Sequence, residues 1–190
     1  MRLAGALELP DGAWLTWSVA DGARGRRWRA VSTVAGSISH GLLLEVDGPG
    51  RPTRLELTTP AGMLTLHPSI DQRMIHGNVV GTTGEGVRPL AFRWGPEREL
   101  EVVGRPLATV VALARRRSTL AVGGALDVDV LAITANLEVI AGRQRFQRLS
   151  ESGWRVGPAG SDGAQGPEVE LEIDPDGLPT GGVRWALEAD

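Results

Sequence analysis

The stretch Glu168-Val169-Glu170-Leu171-Glu172-Ile173 alternates carboxylate and branched apolar side chains without exception. A period of two puts each kind of side chain on its own face of an extended chain, so we predict a strand with one wet and one buried face. Asp174-Pro175-Asp176-Gly177 is typical of a tight turn, because Pro presets φ and Gly accepts a positive φ. The chain returns as Val183–Glu188, which predicts a hairpin with Arg184 facing the glutamate row.

The same alternation recurs along most of the chain, separated by Gly, Pro and Asp at spacings of about 8–12 residues. This pattern predicts a mainly β protein, a curved antiparallel meander that forms a barrel or half-barrel with at most one or two short helices. The further strand candidates are Trp14–Val19, Arg27–Val34, Leu42–Val46, Arg54–Thr58, Met63–Leu66, Arg73–Val80, Leu90–Trp94, Glu99–Val103, Asp127–Thr134, Glu138–Leu149 and Trp154–Val156.

One segment, residues 106–118, has a helical period instead. Leu107, Val110, Val111 and Ala114 fall on one helical face, and three arginines follow where the negative end of a helix dipole would lie. The β-branched run at residues 109–111 leaves a buried strand as the alternative. We expect a short helix beginning after Pro106, which suits a first helical position.

Composition excludes several classes of protein. A chain of 190 residues predicts one domain spanning residues 1–190. The absence of cysteine excludes disulfides and thiolate chemistry, and all 20 positive side chains are arginine. A net charge of −3 gives no support for nucleic-acid binding. Neither a secretion signal nor an apolar run long enough to span a membrane is found, so we expect a cytoplasmic protein without an integral membrane segment.

Catalytic and metal-binding motifs are weak. His67, Asp71 and His76 are spaced as metal ligands on a helix would be, but the stretch is predicted to be loop then strand, so we predict no metal site. Asp127 and Asp129 share one side of a strand, which suits either an acid/base pair or a solvated face. No nucleophile or phosphate-loop motif is present, so no cofactor is expected and enzymatic activity is not favoured.

Six tryptophans are spread over five or six predicted strands: Trp14, Trp17, Trp28, Trp94, Trp154 and Trp185. Rings from many strands on an inner face either fill a barrel or line a cavity. The sequence leaves both alternatives open.

Two segments of the C-terminal half resemble the bacterial glycolipid-binding protein family. Residues 126–137 are similar to that family's D-V-D run, which is followed by Thr and then Asn. Residues 146–149, continuing through Trp154 to the turn at residues 174–178, are similar to its closing pair of strands. The resemblance implies a curved, mostly antiparallel sheet that closes as a barrel or half-barrel. The family's usual Thr-Pro is Thr134-Ala135 here.

These observations lead to a functional hypothesis. We predict non-enzymatic binding of a small amphipathic, lipid-like ligand inside the curved sheet, with a glycolipid as one candidate. The alternatives are a structural or interaction protein with a filled core, and a hydrolase-type enzyme acting on an apolar substrate. A homodimer is also left open. The predicted ligand-binding residues are Trp17, Trp28, Trp94, Trp185, Arg29, Arg93, His76, Asp129 and Asn136.

Overall fold

The computed structural model describes residues 2–82, 84, 86–159 and 168–186, with the side chains at 185 and 186 outside that description. It confirms the mainly β prediction. The elements are β1 Arg2–Glu8, β2 Trp14–Gly22, β3 Gly25–Val34, β4 Ser37–Val46, β5 Pro52–Thr59, β6 Gly62–Pro68, β7 Met74–Gly81, β8 Val87–Arg93, β9 Arg98–Val102, α1 Leu107–Arg116, β10 Ala125–Ile133, β11 Val139–Arg148, β12 Gly153–Pro158, β13 Val169–Glu172 and β14 Val183–Ala186.

The chain divides into two compact units. Unit 1 comprises Met1–Gly95, Ala135–Leu137 and Gly181–Asp190, and unit 2 comprises Pro96–Thr134 and Glu138–Thr180. One domain over residues 1–190 stays a prediction.

Unit 1 is a nine-stranded antiparallel sheet in the order β14-β1-β2-β3-β4-β5-β6-β7-β8. From β2 to β8 each strand pairs with its neighbour in sequence, as a meander requires. Within the described residues β8 and β14 are the two edges and do not pair with each other. The sheet is therefore a half-barrel, the second of the two predicted forms.

The inner face of this sheet is apolar because alternate residues of every strand point to it. Trp17 lines up with Ala30 and Leu42 on the next two strands, and Trp28 lines up with Val19 and Leu44. Four leucines of β5 and β6, at positions 55, 57, 64 and 66, have no exposed surface.

A bulge lies in β4, opposite the end of β3. Ser32 pairs with His40 and Thr33 pairs with Ile38, so Ser39 of β4 is the extra residue. Beyond the bulge Val34 is 43% exposed, so its predicted position on the buried face is wrong, whereas Ser32 continues the alternation of Trp28 and Ala30 and is buried.

Unit 2 is a five-stranded sheet in the order β13-β12-β11-β10-β9. Strands β9 and β10 run parallel, which requires a crossover, and α1 lies between them in sequence. The predicted helix is confirmed. Its Val110, Ala112 and Leu113 belong to a buried cluster with side chains of the sheet, including Phe146 and Trp154.

The predicted C-terminal hairpin is wrong. Strand β13 pairs with β12 and β14 pairs with β1, so the two predicted partners lie in different sheets. Across β12 and β13, Arg155 meets Glu168 at 3.3 Å and Glu170 at 2.7 Å. The turn itself is confirmed, with Gly177 N donating to Asp174 O at 3.0 Å. Residues 187–188 of the predicted return strand lie outside the described residues.

Strands β6 and β7 approach closely at Gly77. A Cβ added there would lie 1.9 Å from Thr65 O and 2.8 Å from Leu66 Cδ2. We expect Gly77→Ala to lower the free energy of unfolding by about 1–3 kcal/mol, the usual cost of overpacking. Gly41→Ala is the matched control, since its added Cβ would meet only Thr58 Cβ, at 3.8 Å. Urea titrations measure both, and equal midpoints for the two variants would contradict the close approach.

Candidate functional site

The candidate site is the inner face of unit 1 around Trp17 and Trp28. Their ring centroids are 5.8 Å apart with the planes at 50°, and each side chain is 1% exposed. Trp17 lies over Gly5 of β1, where an added Cβ would come within 2.5 Å of Trp17 Cζ2. The missing side chain at Gly5 thus makes room for the indole.

The indole nitrogen of Trp17 is buried and has no hydrogen-bond partner within the described part of the chain. A buried donor without an acceptor costs about 1–3 kcal/mol, so most proteins satisfy such groups. Trp17 Nε1 is therefore a buried donor whose hydrogen-bonding capacity the described residues leave unused.

A guanidinium lies beside the same tryptophans. Arg26 has its Cζ 5.9 Å from the Trp28 ring centroid, within the range of a cation–π interaction. Its Nε donates to Asp21 Oδ1 at 2.7 Å, which holds the side chain in place. Arg26 is two residues from Trp28, so both side chains leave the same face of β3. That spacing is the sequence signal that could have identified Arg26 as a site residue.

Polar side chains lie farther along the inner face. Ser32, His40 and Thr59 of β3, β4 and β5 are all buried. Ser39 Oγ donates to Ser32 O at 3.1 Å and lies 3.1 Å from His40 Nδ1.

The segment Ala135–Leu137, which belongs to unit 1, lies against inner-face residues. Thr59 Oγ1 donates to Ala135 O at 2.8 Å, and Arg88 Nη2 donates to Leu137 O at 3.2 Å. Leu137 is fully buried with a φ of 61°, while Asn136 between the two is exposed. The segment therefore covers part of the inner face, and the Asn136 side chain is not part of that cover.

Among the predicted site residues whose side chains the structure describes, Trp17 and Trp28 lie together. Arg29, His76 and Arg93 are exposed on the outer face, because each occupies the alternate position to an inward residue of its strand. Trp94 is half-buried after β8, and the Trp185 side chain lies outside the described residues.

Asp129 lies in unit 2 and forms part of a charge ladder. It meets Arg143 at 3.3 Å and Arg98 at 3.8 Å, and Asp127 meets Arg145 at 3.6 Å. Each carboxylate faces a guanidinium across the β10–β11 pairing. The two carboxylates therefore act as ion-pair partners, which is not the arrangement of an acid/base pair.

Unit 2 also holds a buried carboxyl group. Burial raises the pKa of Glu99, against the opposing pull of Arg115 and Arg116, both of which donate to Glu99 Oε1. Burial likewise raises the pKa of Glu101. Shifted carboxyls can mark active sites. Here Glu99 Oε1 accepts hydrogen bonds from two guanidiniums, which connect the end of α1 to β9. The role of Glu99 is therefore structural.

The described residues offer neither a metal cluster nor a membrane-spanning helix. No cluster of three or more His, Cys, Asp or Glu side chains suited to a metal occurs among the described residues. In the same residues, no helix is both long and apolar enough to cross a membrane.

Comparisons with known proteins bear on the fold alone. No family model matches the chain, and no curated protein matches it. Among solved structures, the chain is similar to a DUF1089 family protein from Pseudomonas aeruginosa, with 21% identity and a TM-score of 0.52. The similarity covers 95% of this chain and 89% of that one. At this identity it supports the β-rich fold and says nothing of activity.

Proposed function

We propose that the protein is a non-enzymatic binding protein for a small amphipathic, lipid-like ligand held against the inner face of the unit 1 sheet. The observation that carries the proposal is Trp17 Nε1, a donor buried on the apolar inner face with no hydrogen-bond partner among the described residues. An apolar surface with a few convergent polar groups is the usual character of ligand sites. An ester carbonyl or a hydroxyl of the ligand would accept from this nitrogen.

Arg26 supplies the contact for an anionic head group in this proposal. It lies beside Trp28 and keeps its orientation through Asp21. An arginine fork matches phosphate and carboxylate geometry, so Arg26 replaces Arg29 and Arg93 as the expected head-group residue. A glycolipid stays one candidate among such ligands, as the sequence resemblance implies. The cytoplasmic location and the homodimer stay predictions.

Binding requires the inner face to open. Trp17, Trp28 and the leucines of β5 and β6 are at most 1% exposed, so a ligand does not reach them in the closed arrangement. The segment Ala135–Leu137 is one part of the cover, held by single hydrogen bonds from Thr59 and Arg88. The same closure favours the second candidate, a structural or interaction protein with a filled core.

We expect lysophosphatidylglycerol, below its micelle concentration, to change the tryptophan fluorescence saturably. Trp17→Phe should weaken its binding by about 2- to 12-fold, the equivalent of one net hydrogen bond of about 0.5–1.5 kcal/mol. Trp14→Phe is the matched control on the same strand, because Trp14 is 51% exposed and should leave the affinity unchanged.

A second pair of variants separates the head-group contact from the chain contact. Arg26→Gln should weaken binding of lysophosphatidylglycerol more than of zwitterionic lysophosphatidylcholine, and Arg29→Gln should affect neither. If neither lipid is bound, the filled-core alternative replaces this proposal. Equal effects of Arg26→Gln and Arg29→Gln on binding would show that Arg26 does not contact the head group.

A further inference from the structure

Hairpin pairing places two histidines opposite each other on the outer face of unit 1. In the register of β6 and β7, His67 pairs directly with His76. Directly opposite residues of antiparallel strands have Cβ atoms about 4.5–5.5 Å apart on the same face of the sheet. Both histidines are exposed. Two imidazoles at this separation can direct one nitrogen each toward a common point.

The hairpin that presents them is well ordered by its own turn. Ser69 N donates to Met74 O at 2.8 Å, and Gln72 N donates to Ser69 O at 2.9 Å. Asp71 Oδ1 accepts from Ser69 Oγ at 2.5 Å and from Arg73 N at 3.1 Å. Asp71 Oδ1 thus accepts its hydrogen bonds within the turn. The connection between the two histidine-bearing strands is therefore held by hydrogen bonds.

The surroundings leave the pair accessible. On β8 the residue paired with His76 is Ala91, which has a small side chain, and His76 is exposed. Chelation by two groups on one rigid scaffold is favoured because the second contact is intramolecular. Imidazole suits copper, nickel and zinc, and affinities for such nitrogen sites rise from Ni²⁺ to Cu²⁺.

We propose that His67 and His76 form a two-imidazole site for a divalent transition-metal ion, with Cu²⁺ bound most tightly and water completing the coordination. The site is independent of the lipid-binding proposal, since it lies on the opposite face of the sheet. Its presence is compatible with the lack of a three-residue cluster in the described residues, because only two protein ligands are invoked.

The test is isothermal titration of the full chain with CuCl₂ and NiCl₂ in a non-chelating buffer, with electron paramagnetic resonance of the Cu²⁺ complex. We expect one Cu²⁺ per chain and a spectrum with nitrogen ligands. The matched control exchanges two outer-face residues of β7, His76→Asn with Asn78→His, which keeps the composition but makes the histidines diagonal neighbours. It should weaken Cu²⁺ binding at least about 10-fold.

Two results would overturn the proposal. One is equal Cu²⁺ affinity in the wild type and the exchange variant. The other is undiminished binding in the double variant His67→Gln with His76→Gln, which would place the ion at His40 or the chain terminus. If the exchange variant does not fold, His67→Gln alone decides between the same outcomes, since both positions are exposed and its far-ultraviolet spectrum should match the wild type.

Discussion

Replacing Glu99 by alanine is expected to destabilise the protein by about 3–5 kcal/mol. Glu99 is 2% exposed, and Arg115 and Arg116, which flank it, are 14% and 12% exposed. Removing the carboxylate leaves two largely buried guanidiniums without the oxygen that both now share. Since domains are stable by only about 5–15 kcal/mol, a loss of this size should be plain in a urea titration followed by circular dichroism.

Replacing the whole cluster should be far milder than replacing one member. Charged groups that are buried together cost desolvation energy, so apolar substitution of all partners is often neutral or stabilising. The variant carrying Glu99→Met, Arg115→Met and Arg116→Met is therefore expected to be more stable than Glu99→Ala by several kcal/mol. A triple variant less stable than Glu99→Ala would show that the arginines act through other contacts, such as those to Pro96 O.

The charge and the hydrogen bonds of Glu99 can be separated with Glu99→Gln. Burial raises the folded-state pKa of Glu99 above its ordinary value of 4.5. A group with a raised pKa contributes most stability below that ordinary value and loses the contribution as pH rises through the folded-state pKa. Glutamine keeps an acceptor but does not titrate. The wild type should therefore lose stability relative to Glu99→Gln as pH rises from 4.5, and a constant difference would contradict the shift.

Local patterns in the sequence were sufficient for most of the strands and for α1. The alternation around Trp17 and Trp28 placed both rings on the inner face, and the apolar period of residues 107–114 placed the helix. Both features depend on residues close in sequence, which is why a single sequence can reveal them. The strand β1 was missed because Gly5 interrupts its alternation of Leu3 and Leu7.

Partner choice could not be derived in the same way. Strand β13 alternates perfectly, but alternation fixes only which face is buried and leaves the neighbouring strand undetermined. The site residues show the same limit. Arg29 was predicted beside Trp28 although adjacent strand residues face opposite sides, and His67 and His76 meet only because β6 and β7 form a hairpin. Arg88 reaches Leu137 O across 49 residues of sequence, a contact that no local pattern indicates.

Trp154→Ala is expected to destabilise unit 2 by about 3–5 kcal/mol, the usual cost of truncating a buried tryptophan. Trp154 has no exposed surface and packs in the cluster that includes Leu113 and Phe146. The Arg148 guanidinium lies 5.7 Å from its ring centroid. The same Arg148 donates to Arg117 O at 3.0 Å and to Leu120 O at 2.8 Å. Losing the ring should therefore also loosen the connection between the sheet and the end of α1.

Trp154→Phe and Trp154→Ala together distinguish the stability contributed by the volume of the indole ring from that contributed by its nitrogen. Trp154 Nε1 has no hydrogen-bond partner in the part of the chain that the structure describes, so Trp154→Phe should lose packing but no hydrogen bond. It is expected to recover more than half of the stability lost in Trp154→Ala. Trp14→Ala, at a 51% exposed position, should change stability by less than about 0.5 kcal/mol. If Trp154→Phe proved as costly as Trp154→Ala, the indole nitrogen would have to be bonded in solution, because the volume lost differs greatly between the two variants.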